Sequence, residues 1–117
     1  MKFQIVAMVI MLGIVARGEA GFYTGSQILS NCESRDETER SLCVSYLGGI
    51  ADATKIWVGA GLMPKLVCMP GDASTQQLQE IFVAYAKENP GELDEVASAT
   101  VIAAFMGAFP CNSSETG

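Results

Sequence analysis

The sequence predicts an all-α protein: a small four-helix, disulfide-stapled domain that follows a cleaved signal peptide. Three observations point there. Apolar residues recur at spacings of three, four and seven, and no stretch alternates over six residues as a strand would. Capping-box patterns open several of those stretches. Four cysteines occur in a chain of 117 residues, an even count that in a short exported chain implies two disulfides.

Residues 1–20 read as the signal. Lys2 supplies a positive start, and Phe3 to Ala16 is apolar apart from Gln4 and Gly13. Gly18-Glu19-Ala20 places small residues where a signal peptidase cuts, so cleavage is expected after Ala20. The alternative is a membrane anchor, but the run is short of the roughly 20 residues a bilayer span needs.

The first helix is expected over 25–32. Thr24 and Gln27 have capping-box spacing, and Tyr23 and Ile28 sit at the positions of a hydrophobic staple. A polar link over 33–40 follows, in which Ser34 and Glu37 suggest a second box. The second helix then places Cys43, Tyr46, Leu47, Ile50 and Trp57 on one face. Gly48 and Gly49 interrupt it at about 1 kcal/mol each relative to alanine, which suggests the close approach of another backbone and makes Gly49 a packing glycine. Asp52, one turn beyond Gly48, is expected at a solvated edge.

Residues 58–73 contain Gly59, Gly61, Pro64, Pro70 and Gly71 and read as an irregular connection held at Cys68. Ser74 and Gln77 form the next box, and Leu78, Ile81, Phe82 and Tyr85 mark an amphipathic third helix. It ends at Asn89-Pro90, because proline disfavours helical angles in the residue before it. The fourth helix is expected to start near Asp94, a good N-cap. Val96, Ala97, Val101, Ile102, Ala104, Phe105 and Ala108 make it apolar nearly all round, which suits a central helix or a subunit interface. Pro110 stops it, Cys111 pins its end, and residues 112–117 are expected to form a flexible tail.

Helix-hairpin geometry favours Cys32–Cys43 and Cys68–Cys111. The rival pairing is Cys43–Cys68 with Cys32–Cys111, reached if the long connection runs back along the second helix. A four-thiolate zinc site is disfavoured by the absence of any C-x-x-C pair.

Charge and composition then exclude function classes. Of 7 basic and 13 acidic residues, Lys2, Arg17 and Glu19 lie in the signal, so residues 21–117 carry 5 and 12, a net charge of −7. That argues against nucleic acid and, after signal cleavage, against membranes as partners, since both reward clustered Lys and Arg. Histidine is absent, which removes the commonest general base and metal ligand. The lysines stand in no catalytic motif, and Glu37, Glu39, Asp72, Glu80, Glu92, Asp94 and Glu95 are expected as solvated carboxylates. Gly71-Asp72 is a turn and not a phosphate cradle. No enzyme, catalytic residue, cofactor or metal is expected.

Four segments in order resemble one family. Cys43-Val44-Ser45-Tyr46-Leu47-Gly48-Gly49 is similar to the C-x-x-Y-x-x-G segment of the type VI secretion amidase immunity family, the Tai or resistance-associated immunity family. Cys68-Met69-Pro70 is similar to its C-x-P step. Thr75-Gln76-Gln77-Leu78 with Tyr85 and Asn89-Pro90 is similar to its T-x-x-Q-L…Y…P helix, and Ala97 to Phe109-Pro110-Cys111 to its closing helix. The likeness spans about residues 24–111, within an immunity-like domain of 21–111. It implies a periplasmic helical protein, often a homodimer, that binds and occludes a secreted peptidoglycan amidase effector. The alternative is a small periplasmic stress chaperone or an envelope-assembly binding protein.

The partner surface is expected on the turn Glu88-Asn89-Pro90-Gly91-Glu92 with the following Asp94 and Glu95. A rigid turn protrudes between helices, Pro90 limits the entropy lost on binding, and four carboxylates offer acceptors to a donor-lined cleft. The 58–73 connection is the next candidate.

Overall fold

A computed structural model of the chain describes residues 22–111. The signal at 1–20 and the tail at 112–117 lie outside the described residues. Four α-helices, α1 Gly25–Glu33, α2 Glu37–Gly59, α3 Thr75–Glu88 and α4 Ala97–Ala108, are joined by short links, one 3-10 turn at Pro90–Glu92 and the irregular segment 60–74. Among the described residues there is no strand, only an isolated antiparallel bridge between Thr24 and Val96.

Local sequence chemistry starts the first three helices. The Thr24 hydroxyl accepts from the Gln27 amide, and the Gln27 side chain accepts from the Thr24 amide. Ser74 and Gln77 repeat the arrangement at the head of α3. Each box satisfies amides that a helix N-terminus leaves without partners. At α2 the expected Ser34 and Glu37 pair is not the cap. Asp36 is, its carboxylate accepting from the Glu39 amide at 3.0 Å. Ser34 serves one step earlier, accepting from the Asp36 amide, because Arg40 donates to the carbonyls of Ser34 and Arg35 and holds the link as a turn.

The core lies where all four helices meet. Ile28, Cys32, Cys43, Leu47, Leu78, Phe82, Ala86, Ala97, Val101 and Phe105 are buried in one cluster. Phe82 and Phe105 are fully buried, and each large apolar side chain removed from water stabilises the fold by about 1.5–3 kcal/mol. Cys32–Cys43 closes the α1–α2 link and Cys68–Cys111 ties the irregular segment to the end of α4, so of the two pairings the hairpin one is realised. Gln79 donates to the Cys32 carbonyl at 2.9 Å and satisfies the exposed end of α1.

Two expectations about packing are corrected. A side chain at Gly48 or Gly49 would meet nothing within 4 Å, so no second backbone crosses there and Gly49 is not a packing glycine. Trp57 remains 46% exposed, because it lines an open groove between α2 and α4 and not the closed core. The apolar α4 is buried at Ala97, Thr100, Val101, Ala104 and Phe105 and leaves Met106, Gly107 and Ala108 exposed in its last turn. Asp52 is exposed, as expected of an edge position.

The fourth helix starts at Ala97 and not near Asp94. No side chain caps it. Instead the Ala97 amide donates to the Tyr23 carbonyl at 2.8 Å, while the Gly25 and Ser26 amides donate to the carbonyls of Glu95 and Leu93. Backbone from the chain start replaces the side-chain cap that Asp94 would have provided. Gly25 makes this contact possible, because a Cβ there would lie 3.1 Å from Leu93 Cα and 3.2 Å from Thr100 Oγ1.

Candidate functional site

The acidic turn between α3 and α4 is built from the backbone outward. Asn89 ends α3, its amide donating to the Tyr85 carbonyl and its side-chain Nδ2 donating to the same carbonyl at 2.9 Å. Pro90, whose missing amide costs nothing at the start of a helical turn, opens the single 3-10 turn. The Leu93 amide then donates to the Pro90 carbonyl. Tyr85 donates its hydroxyl to a Glu92 carboxylate oxygen at 2.8 Å. That bond, with burial and the Glu92 charge adding to it, raises the Tyr85 phenol above its usual value near 10.

Beyond Glu92 the chain is held by α1. Ser26 donates its amide to the Leu93 carbonyl at 2.9 Å and its hydroxyl at 3.2 Å, and Gly25 donates to the Glu95 carbonyl. The first amides of α1, which no residue within the helix can satisfy, are therefore spent on fixing the turn.

The structure places the predicted contact residues along one largely exposed turn. Glu88, Pro90, Gly91, Glu92, Asp94 and Glu95 are exposed, while Asn89 and Leu93 are half-buried. Asn89 is thus a helix cap first, and Glu92 is partly engaged by Tyr85. None of the four carboxylates pairs with Lys or Arg among the described residues. The nearby Lys87 is paired instead with Glu33 at 2.7 Å.

A second feature involves the 58–73 connection, the next candidate for partner contact, where no cleft was expected. A cleft of about 740 Å³ runs between the middle of α2 and the 65–73 segment, closed at one end by the start of α3. Ala51, Asp52, Thr54 and Lys55 form one wall and Val67, Met69 and Pro70 the other. Thr54 is 4% exposed and its hydroxyl makes no hydrogen bond among the described residues. Nothing in the local sequence marks Thr54, since a helical threonine ordinarily back-bonds one turn up or meets water. A third, more apolar groove lies between α2 and α4, lined by Tyr46, Gly49, Ile50, Trp57, Ser98 and Ile102.

Among the described residues no group of three or more Cys, Asp or Glu is placed to hold a metal ion. No helix among them is long and apolar enough to cross a membrane. What the arrangement offers is recognition: a rigid acidic tip, a cleft with a buried polar atom, and apolar area along α2.

Residues 24–111 match the family model described as Rap1a immunity proteins. No curated protein matches the chain.

Proposed function

The chain belongs to the Rap1a immunity proteins, a type VI secretion immunity family, and from that premise we propose that it is a periplasmic inhibitor that binds a secreted peptidoglycan amidase and occludes its active-site cleft. The family match over nearly the whole helical domain carries the proposal. An immunity protein acts by binding, and the tip at 88–95 has the properties that binding rewards. It is held by main-chain bonds to α1, so little entropy is lost when a partner clamps it. Among the described residues no Lys or Arg is seen paired with its carboxylates. The two disulfides fit an oxidising compartment, which the export signal at 1–20 would reach after cleavage.

A second copy of the chain is the proposed occupant of the α2–α4 groove. Ile56 and Trp57, on the same helix, are 68% and 46% exposed, and a homodimer would cover them. Sedimentation equilibrium resolves this directly, with a monomer at tens of micromolar ruling it out.

Binding to secreted amidases and inhibition of muropeptide release test the main proposal. The paired charge reversal Glu92→Lys with Asp94→Lys should leave the circular dichroism spectrum intact and slow association at least about tenfold at low salt, because rim charges act chiefly on association rate. The loss should shrink as salt screens the charges. An unchanged association rate moves the contact away from the turn. Failure of the unaltered protein to inhibit any amidase while it protects cells from another effector would reassign the target.

A further inference from the structure

The two disulfides sit in different surroundings. Cys32 and Cys43 are 4% and 0% exposed and belong to the buried core cluster. The Cys32 carbonyl also accepts from Gln79 of α3, so this bridge is packed among three helices. Cys68 and Cys111 are both half-buried and lie outside the cluster. Thiol–disulfide exchange needs an attacking thiolate to reach a sulfur, so access separates the two bridges kinetically. The segment that the outer bridge holds is also lightly attached. Residues 63–73 contain no helix or strand, and Val67 is their one buried residue. Among the described residues their one main-chain hydrogen bond to another element runs from the Cys68 amide to the Phe109 carbonyl, at 2.8 Å. Met69 packs partly against the core beside Val67. The packed side chains, the hydrogen bond and the bridge thus fall on three consecutive residues, with Cys68 in the middle.

We propose that Cys68–Cys111 is a redox-sensitive latch: a dithiol reductant opens it while Cys32–Cys43 stays closed, and opening frees residues 63–73 from the helical core. A thiolate of the reductant attacks one cystine sulfur, the S–S bond breaks, and the other cysteine leaves as a thiolate that takes up a proton. The reductant's second thiol then attacks the mixed disulfide and releases the first cysteine. Two protein thiols form, and the reductant departs as a cyclic disulfide, having supplied two electrons and two protons. A unit with few buried contacts detaches at a lower free energy than the core, and this unit reaches the core cluster chiefly through Val67. The freed segment is one wall of the cleft of about 740 Å³ beside α2, so the latch governs how open that cleft is. The tip at 88–95 is held by α1 through Gly25 and Ser26 and keeps its place in both states.

Timed reduction of the oxidised protein with dithiothreitol, quenched by iodoacetamide and mapped by peptide mass spectrometry, tests this without any effector, so its failure leaves the proposal for the tip standing. Cys68 and Cys111 should be alkylated at least about tenfold faster than Cys32 and Cys43, because a buried sulfur meets a thiolate only after the core has opened. Circular dichroism at the stage where only the outer bridge is reduced should keep its helical signal. Hydrogen exchange at that stage should quicken at least about tenfold at the Cys68 amide, which loses its hold on the Phe109 carbonyl, while the Leu47 and Phe82 amides keep their protection. The double variant Cys68→Ser with Cys111→Ser should show the same exchange at position 68 with no reductant. If that variant does not fold, the partly reduced natural protein still gives all three readings. Equal alkylation rates at the two bridges, loss of helix along with the outer bridge, or a Cys68 amide that stays protected after reduction would each overturn the latch.

Discussion

Replacing Gly25 with alanine should destabilise the protein and loosen the acidic tip, whereas the same change at Gly49 should stabilise it. At Gly25 the added methyl would sit 3.1 Å from Leu93 Cα and 3.2 Å from both Leu93 Cδ2 and Thr100 Oγ1. One of these is backbone, which cannot rotate away. Relief therefore requires α1 to retreat from residues 93–95 and stretches the Gly25 and Ser26 hydrogen bonds to Glu95 and Leu93. Overpacking of this kind costs about 1–3 kcal/mol, and the loss of glycine flexibility offsets up to about 1 kcal/mol. A net loss of about 1–2 kcal/mol remains, or roughly 4–16 °C in melting temperature for a domain of this size. Gly49 is exposed and a Cβ there meets nothing within 4 Å, so only the flexibility effect operates and Gly49→Ala should gain about 0.5–1 kcal/mol. Thermal melts of the two variants against the unaltered protein decide the matter. Hydrogen exchange adds a local measure, since the Ala97 amide, bonded to the Tyr23 carbonyl, should lose protection in Gly25→Ala alone. A Gly25 variant that melts at or above the parent temperature would refute the close packing of α1 on the turn.

Three other outcomes are expected. Thr54→Val removes a buried hydroxyl that has no partner. Because an unsatisfied buried polar group costs about 1–3 kcal/mol, urea unfolding of the free protein should show a gain of about 1 kcal/mol. Serine replacement of Cys68 and Cys111, which close a separation of 43 residues, should cost about 4 kcal/mol on chain-entropy grounds, against about 3 kcal/mol for Cys32 and Cys43 at a separation of 11; denaturant midpoints should fall in that order. Tyr85 should ionise above pH 10, since the Glu92 carboxylate accepts its proton, burial disfavours the phenolate and the Glu92 charge repels it. The raised pKa contributes stability that is whole below pH 10 and is lost as pH climbs through the folded-state value. Phenolate absorbance should show this titration disappear in Tyr85→Phe.

The sequence by itself determined the helical class and the starts of the first and third helices, and it favoured the hairpin pairing of the disulfides that the structure realises. These depend on groups close along the chain. A threonine and a glutamine three residues apart satisfy each other's amides wherever the helix ends up, so Thr24 with Gln27 and Ser74 with Gln77 can be read directly. The periodic positions Leu78 and Phe82 likewise mark a buried face before the rest of the core is known. The acidic turn was also visible, because Asn89-Pro90 must end a helix and the carboxylates cluster around it.

Only the tertiary structure decided the features that join distant segments. Asp94 is a better cap than Val96 by residue type, yet α4 begins at Ala97 because the Tyr23 carbonyl, more than seventy residues earlier, accepts that amide. Gly48 and Gly49 look like the tight positions, but the close approach is at Gly25, where Leu93 and Thr100 crowd the backbone. Trp57 follows the spacing of a buried face and stays half in water, since it lines an open groove between α2 and α4. The cleft beside Thr54 was hidden for the same reason: its walls are α2 and a 65–73 segment distant in sequence, the latter anchored to the end of α4 by the Cys68–Cys111 bridge. Capping and periodicity are satisfied within a few residues of chain. Steric fit, main-chain pairing across segments and an unpaired hydroxyl in a cleft exist only after the helices have been placed against one another.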